Sequence, residues 1–210
     1  MREKIEACRR FFEREHPASF ELLPGPGPVM ISAPHSVGQI REGRPKAAEP
    51  GTGLLALLLH GDGCPVIVKT RNLGDDANFD PVSPYREALC RYVRGHGVRF
   101  LLDLHQLSPE RAEMIDIGTG RFVNGSRREA DLLVRRLSGP LLQPLSVDGL
   151  FSGGGPNTVC SQTARACRIP CLQLELNSRL FPGPKEAPGP AFFALWEALR
   201  GAVSDLAALP

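Results

Sequence analysis

Val29-Met30-Ile31-Ser32-Ala33-Pro34-His35 and Arg99-Phe100-Leu101-Leu102-Asp103-Leu104-His105 decide the reading of this chain. Each is a short apolar run bounded by turn signals, which predicts a strand near 28–34 and another over 98–104. Both are apolar nearly throughout, the pattern of strands covered on two faces rather than one. Each delivers a histidine where the apolar run stops. In open α/β sheets ligands bind at the carboxyl ends of the strands, so His35 and His105 are placed to converge.

Outward from these runs, the apolar pattern alternates between the two periods. Residues 1–15 carry Ile5, Cys8, Phe11 and Phe12 at helical spacing. A Pro/Gly loop follows, then the first strand, then an irregular polar stretch over 36–50. Thr52 is the expected cap of a leucine-rich helix, Cys64 to Lys69 reads as a strand, and a second irregular stretch covers Arg71 to Asp80. Ser83-Pro84 opens a helix that Gly97 ends. Beyond the 98–104 strand come a strand near 113–117, a helix near 126–138, a weak strand at Leu145–Val147, a short helix from Thr158 to Cys167, a strand from Pro170 to Leu176 and a final helix near 190–207. Strands alternating with helices predict an α/β fold in three layers, with a mostly parallel or mixed central sheet and helices on both faces. With no internal repeat and no linker, residues 1–210 are expected to form one domain, with the helix at 1–15 packed on it.

Composition narrows the function. The chain has 42% hydrophobic and 23% charged residues and a formal net charge of +2, so electrostatics give no case for a nucleic-acid or membrane partner. No run approaches the ~20 apolar residues of a membrane-spanning helix. Met1-Arg2-Glu3-Lys4 leads into a charged amphipathic segment rather than a secretory signal, which makes the cytoplasm the expected compartment. The six cysteines show no Cys-x-x-Cys spacing and read as small buried hydrophobes.

The chemistry is carried by a few polar residues. Two imidazoles at strand ends, with Glu49 between them in sequence, are the material of a His/Glu/His zinc site with an open fourth position. Water bound to Zn2+ falls in pKa from about 15.7 to near 7, which makes a nucleophile available at neutral pH. Each ligand also has a structural reading: a hydrogen-bonded histidine beside a strand, or a carboxylate at a helix N-terminus for Glu49. Asp103 lies two residues before His105, on the same side of the strand, where it can orient the ring. Glu175 sits inside the apolar run Cys171 to Leu176, a costly place for a carboxylate, and is the best candidate for the general base. Arg111 and Arg179 follow His105 and Glu175 in loops and are natural anion clamps or carbonyl polarisers. Asn177, Arg71 and Asn78 are further candidates for holding a substrate. The glycine run Gly153-Gly154-Gly155 lacks the Gly-Lys-Ser/Thr of a phosphate loop and reads as a lid or turn.

Taken in order, Ser32-Ala33-Pro34-His35-Ser36, Glu49 with Thr52, Asp75-Asp76-Ala77-Asn78-Phe79-Asp80, Leu102-Asp103-Leu104-His105, Ile115-Asp116-Ile117-Gly118-Thr119 and Gln173-Leu174-Glu175-Leu176-Asn177 with Arg179 resemble the N-formylglutamate amidohydrolase family over residues 28–181. The resemblance implies a zinc-peptidase-like fold and cleavage of an N-acyl bond next to a carboxylate on a small molecule. It also implies His35, Glu49 and His105 as zinc ligands, with Glu175 as base. Two other readings stay open. One is a catalytically degenerate protein of the same fold that binds a metal or a carboxylate. The other is a thiol enzyme using Cys160 or Cys171.

Overall fold

The computed structural model describes residues 2–183 and 186–210. Seven strands form one mixed sheet in the order β1 (Phe20–Leu23), β5 (Val66–Lys69), β2 (Val29–Ala33), β6 (Phe100–Leu107), β9 (Cys171–Asn177), β7 (Ile115–Gly118) and β8 (Leu145–Val147). The central four, β5, β2, β6 and β9, are mutually parallel. At the edges β1 runs antiparallel to β5 and β7 antiparallel to β9, with β8 parallel to β7.

Strand alternation sorts the side chains into two cores. Val29, Ile31 and Ala33 of β2, Leu102 and Leu104 of β6 and Leu172, Leu174 and Leu176 of β9 pack against α1 (Arg2–Glu13), α2 (Pro50–His60), α4 (Arg127–Leu137) and α6 (Pro190–Ala207). Met30, Ile67, Leu101 and Cys171 face the other way, onto α3 (Pro84–Gly95) and α5 (Val159–Cys167). The three layers expected from the sequence are present. The second helical layer is the smaller, and it leaves the carboxyl ends of β6 and β9 uncovered on its side of the sheet.

Four local expectations are corrected. β6 does not stop at His105; it runs on to Leu107 because Gln106 and Leu107 still pair with Leu176 and Asn177 of β9. Helix α2 begins at Pro50 rather than behind Thr52: the fixed φ of Pro50 suits the first turn, Glu49 takes the cap position, and the Thr52 hydroxyl donates to the Glu49 carbonyl at 2.7 Å. The stretch 36–50 is not irregular. It holds the hairpin β3 (Gln39–Arg41) and β4 (Arg44–Lys46), turned by Glu42 and Gly43, both at positive φ as tight two-residue hairpins require. The short edge strand β1 lies where only a Pro/Gly loop is expected. Other boundaries follow the sequence closely. Ser83 and Thr158 cap α3 and α5 by accepting from the Arg86 and Ser161 amides, and α4 starts with a reciprocal capping box between Ser126 and Glu129. Among the described residues no helix is long and apolar enough to cross a membrane.

Candidate metal centre

The period of a strand places Leu101, Asp103 and His105 on one face of β6, and Cys171, Gln173 and Glu175 on the same face of β9. Leu101 and Cys171 sit under the helices α3 and α5. Farther along, His105, Gln173 and Glu175 pass beyond that cover and line a cavity of about 790 Å³. His105 and Glu175 are directly opposite each other across the parallel ladder. His35 enters from the turn after β2. Tyr85 fixes the end of that strand: fully buried, its hydroxyl accepts from the Ala33 amide and donates to the Ile67 carbonyl. Glu49 is delivered by the start of α2. Its amide donates to the His35 carbonyl at 2.8 Å, and its Oε2 accepts from the Gln106 amide at 3.0 Å.

Among the described residues, His35, Glu49 and His105 form the one group of side chains arranged to hold a metal ion, with ligand atoms within 4.8 Å of one another. All three are buried. His35 Nδ1 lies 3.0 Å from Glu49 Oε1, and His105 Nδ1 lies 3.3 Å from Glu49 Oε2 and 3.2 Å from His35 Nδ1. The outward nitrogens are both committed to carboxylates: His35 Nε2 to Asp76 Oδ1 at 2.8 Å and His105 Nε2 to Asp103 Oδ2 at 3.0 Å. An ionised carboxylate only accepts, so each Nε2 carries a proton, and a ring without a second proton turns its Nδ1 lone pair inward. Two imidazole lone pairs and a carboxylate facing one another require positive charge between them. This is the carboxylate–histidine arrangement that orients metal ligands, and the donor set suits Zn2+.

The protonation of the metal-free side chains expresses the same demand. Burial opposes charge on His105, but the Asp103 and Glu49 carboxylates outweigh it and hold the ring well above the ordinary histidine value. Burial would raise Glu49; the facing His35 and His105 rings more than offset it and hold it well below the ordinary range. Asp76, likewise penalised by burial, is kept far below its usual value by His35, by the Asn78 amide and by Arg41. Glu175 moves the other way. Burial raises it, and although His105 opposes this, Glu49 adds to the rise. Its Oε1 accepts from Gln173 Nε2 at 2.8 Å.

The remaining residues singled out in the sequence divide sharply. Arg111 is exposed and lines the cavity. Asn78 also lines it. The Asn78 Oδ1 accepts from the Val159 amide at the start of α5, and its Nδ2 sits 3.4 Å from His105 Nε2. Asn177, Arg179 and Arg71 are not in the cavity wall. Asn177 is fully buried, and its Nδ2 donates to the carbonyls of Ser108, Arg111 and Glu113. Arg179 donates to the Arg111 carbonyl at 2.9 Å, so the two residues brace the loop that carries Arg111 rather than the cavity itself. Arg71 is turned to the His16 carbonyl. The glycine run forms part of the cavity wall, pinned where the Gly153 carbonyl accepts from Asn124, Thr158 and Ser161.

Three further residues complete the site, of which Asp76 and Lys46 carry no role in the sequence reading while Arg41 is one of its weaker candidates. Asp76 orients His35 from a loop 41 positions away in sequence. Arg41 holds Asp76 with two nitrogens at 2.9 and 2.8 Å and stacks on Phe79. Lys46 reaches the ligands themselves. All six cysteines are free thiols; Cys160 and Cys171 are fully buried, away from the cavity, and burial pushes both thiols well above their ordinary value. That removes the thiolate a cysteine nucleophile needs.

No protein-family model matches the chain, and no curated protein sequence does. Solved structures do. The fold is similar to that of an N-formylglutamate amidohydrolase from Ralstonia eutropha, with a TM-score of 0.63 at 15% identity, covering 90% of this chain and 97% of the other. It is similar to a bacteriophage poly-gamma-glutamate hydrolase, with a TM-score of 0.58 at 15% identity over 98% and 97% of the two chains. A metallo-carboxypeptidase from Burkholderia cenocepacia matches with a TM-score of 0.52 at 13% identity, covering 98% of this chain and 69% of that one. At such identities the likeness establishes the fold: the chain shares the α/β architecture of these structures, and it holds a possible His/Glu/His metal site near the carboxyl ends of its central strands.

Proposed function

We propose that this protein is a zinc-dependent hydrolase that cleaves an amide bond next to a carboxylate, in an N-acyl amino acid or at a peptide end. The observation that carries the reading is the convergence of His35 Nδ1, His105 Nδ1 and the Glu49 carboxylate on the floor of an open cavity, one strand away from the buried carboxyl group of Glu175. Zinc held by the three ligands would supply Lewis acidity, activating water and polarising the scissile carbonyl.

The chain's own residues supply the rest. Asp76 and Asp103 fix the two rings and raise their strength as ligands. Glu175 takes a proton from the attacking water and returns it to the leaving nitrogen. A carboxyl group raised by burial is suited to both transfers, because its pKa moves toward the operating pH. Gln173 holds one Glu175 oxygen and leaves the other toward the cavity. Arg111, exposed at the cavity wall and braced from behind by Asn177 and Arg179, offers a guanidinium to a substrate carboxylate or to the developing oxyanion. The similarity to hydrolases of N-formylglutamate and poly-gamma-glutamate supports a glutamate-like acidic substrate.

The test is the Glu175→Gln variant, with metal content measured alongside amidase activity on N-acyl amino acids. The expected result is about one zinc bound per chain in both proteins, with turnover abolished only in the variant. An unchanged rate removes Glu175 from the reaction. Failure of the wild-type protein to bind or be stabilised by zinc removes the metal site.

A further inference from the structure

Lys46 stands at the end of β4, the outer strand of the hairpin beside the site. Its Nζ lies 2.5 Å from Glu49 Oε1 and 3.0 Å from His35 Nδ1. It therefore uses lone pairs on two of the three proposed ligands. His35 Nδ1 has a single inward lone pair, which an ammonium N–H and a metal ion cannot both occupy. A divalent ion at the same place would also repel the ammonium across a few ångströms. Occupation by one cation thus excludes the other. The lysine has somewhere to go. Its side chain is 29% exposed, it already lines the cavity, and its flexible four-carbon stem is anchored on a hairpin whose far end is solvent-facing.

We infer that Lys46 is a displaceable internal cation. It occupies the ligand set when no metal is bound, is expelled into the cavity when zinc binds, and there offers its charge to an anionic group of the substrate. The inference rests on the zinc reading and adds a consequence to it: loading the metal creates the cationic docking point for the carboxylate. Arg41 cannot serve in this way, because its guanidinium is held by Asp76.

The experiment reads Lys46 directly in the unmodified protein. Lysine acetylation by an activated acetate ester is followed by mass spectrometry at Lys46 and at Lys4, on the exposed face of α1, as internal reference. In the metal-free protein Lys46 reacts slowly relative to Lys4. Zinc raises its rate several-fold, and glutarate, a dicarboxylate without an amide bond, slows it again in the zinc-loaded protein. A Lys46 rate that zinc leaves unchanged or lowers overturns the displacement. A rate that glutarate does not touch overturns the docking role. Zinc affinity gives an independent measurement. Lys46→Met is expected to bind zinc about tenfold more tightly than wild type, the order of one charge-assisted hydrogen bond that no longer has to be broken, while Lys46→Arg stays near wild type. Equal or weaker binding by a folded Lys46→Met overturns the inference even if the wild-type protein binds zinc. A wild type that binds no zinc overturns the zinc reading itself.

Discussion

Asp76→Asn isolates the part of the metal centre that the ligands do not include. The Asp76 carboxylate is fully buried and serves four donors: His35 Nε2 at 2.8 Å, the Asn78 amide at 2.9 Å, and Arg41 Nε and Nη2 at 2.9 and 2.8 Å. An amide of the same shape has one acceptor oxygen. With that oxygen toward His35 and Asn78, the ring keeps its orientation but loses the negative charge behind it, and the new NH2 meets the Arg41 guanidinium donor to donor. Arg41 is partly exposed and can turn to water. The ring then becomes a weaker ligand without the fold being broken. Losses of this kind amount to about 10–100-fold in metal affinity, or roughly 1.4–2.7 kcal/mol. Competition with a chromophoric chelator measures it, and circular dichroism checks that the variant is folded. Asp75→Asn is the control one residue away: Asp75 pairs with the fully buried Lys69 and touches no ligand. It should lower the unfolding temperature and leave zinc affinity alone. Equal losses of zinc affinity in the two variants, or none in Asp76→Asn, would refute the assignment of Asp76 to His35.

Other consequences follow from the same contacts. Because burial raises the folded-state pKa of Glu175, the native protein binds a proton there that the unfolded chain releases, so stability falls as pH rises from the ordinary carboxylate value of 4.5 through the raised one. Metal-free Glu175→Gln should therefore melt higher than wild type at neutral pH, with the gap closing toward pH 4; a constant gap across that window would show that Glu175 is not its source. Asp116, buried on β7, accepts from the Ser146 hydroxyl and from the amides of Gly149, Leu150 and Phe151, and the last two residues belong to the cavity wall. Asp116→Ala should cost roughly 1–3 kcal/mol of stability and raise KM more than it lowers kcat, and steady-state kinetics showing the reverse would mean that this loop does not shape substrate binding. Ser126→Ala removes the capping box of α4, far from the cavity, and should cost about 1 kcal/mol in denaturant unfolding with zinc affinity unchanged.

What could be read from the sequence was what a local pattern can carry. The strands at Val29–Ala33 and Phe100–Leu107 are apolar because helices cover both of their faces, and that burial writes itself into consecutive residues. Strand β1 left no such trace: its four residues are all half-buried at a sheet edge. The β3–β4 hairpin reads as polar because Glu42, Arg44 and Pro45 project to solvent and Arg41 is turned to Asp76. Its only signal was the Glu42-Gly43 pair, which could have flagged a tight turn. Asp103 could be assigned because it is two residues from its partner on one strand, whereas Asp76 and Lys46 meet His35 only through tertiary folding. Asn177 and Arg179 illustrate the opposite limit. Closeness to Glu175 in sequence suggested a shared site, but the ladder ends at Asn177, and its side chain is spent on three carbonyls of the neighbouring loop.

The position of the site follows from an imbalance between the two faces of the sheet. On the face bearing Leu102, Leu104, Leu174 and Leu176, helices cover these four leucines fully. On the other face the cover of α3 and α5 reaches Leu101 and Cys171 and stops. The next two inward positions on each strand are polar: Asp103 and His105, Gln173 and Glu175. Apolar residues at 105, 173 and 175 would face a cavity. The same alternation that packs the core therefore supplies a row of polar groups on rigid strands, where they are held more precisely than a loop could hold them. His35 and Glu49 complete the set from the ends of two adjoining elements and are tied together by the hydrogen bond from the Glu49 amide to the His35 carbonyl. That backbone bond explains how a ligand fourteen residues from its partner in sequence can still be fixed against it, and it places the tolerance of the site for change in the hairpin between them, where Lys46 sits.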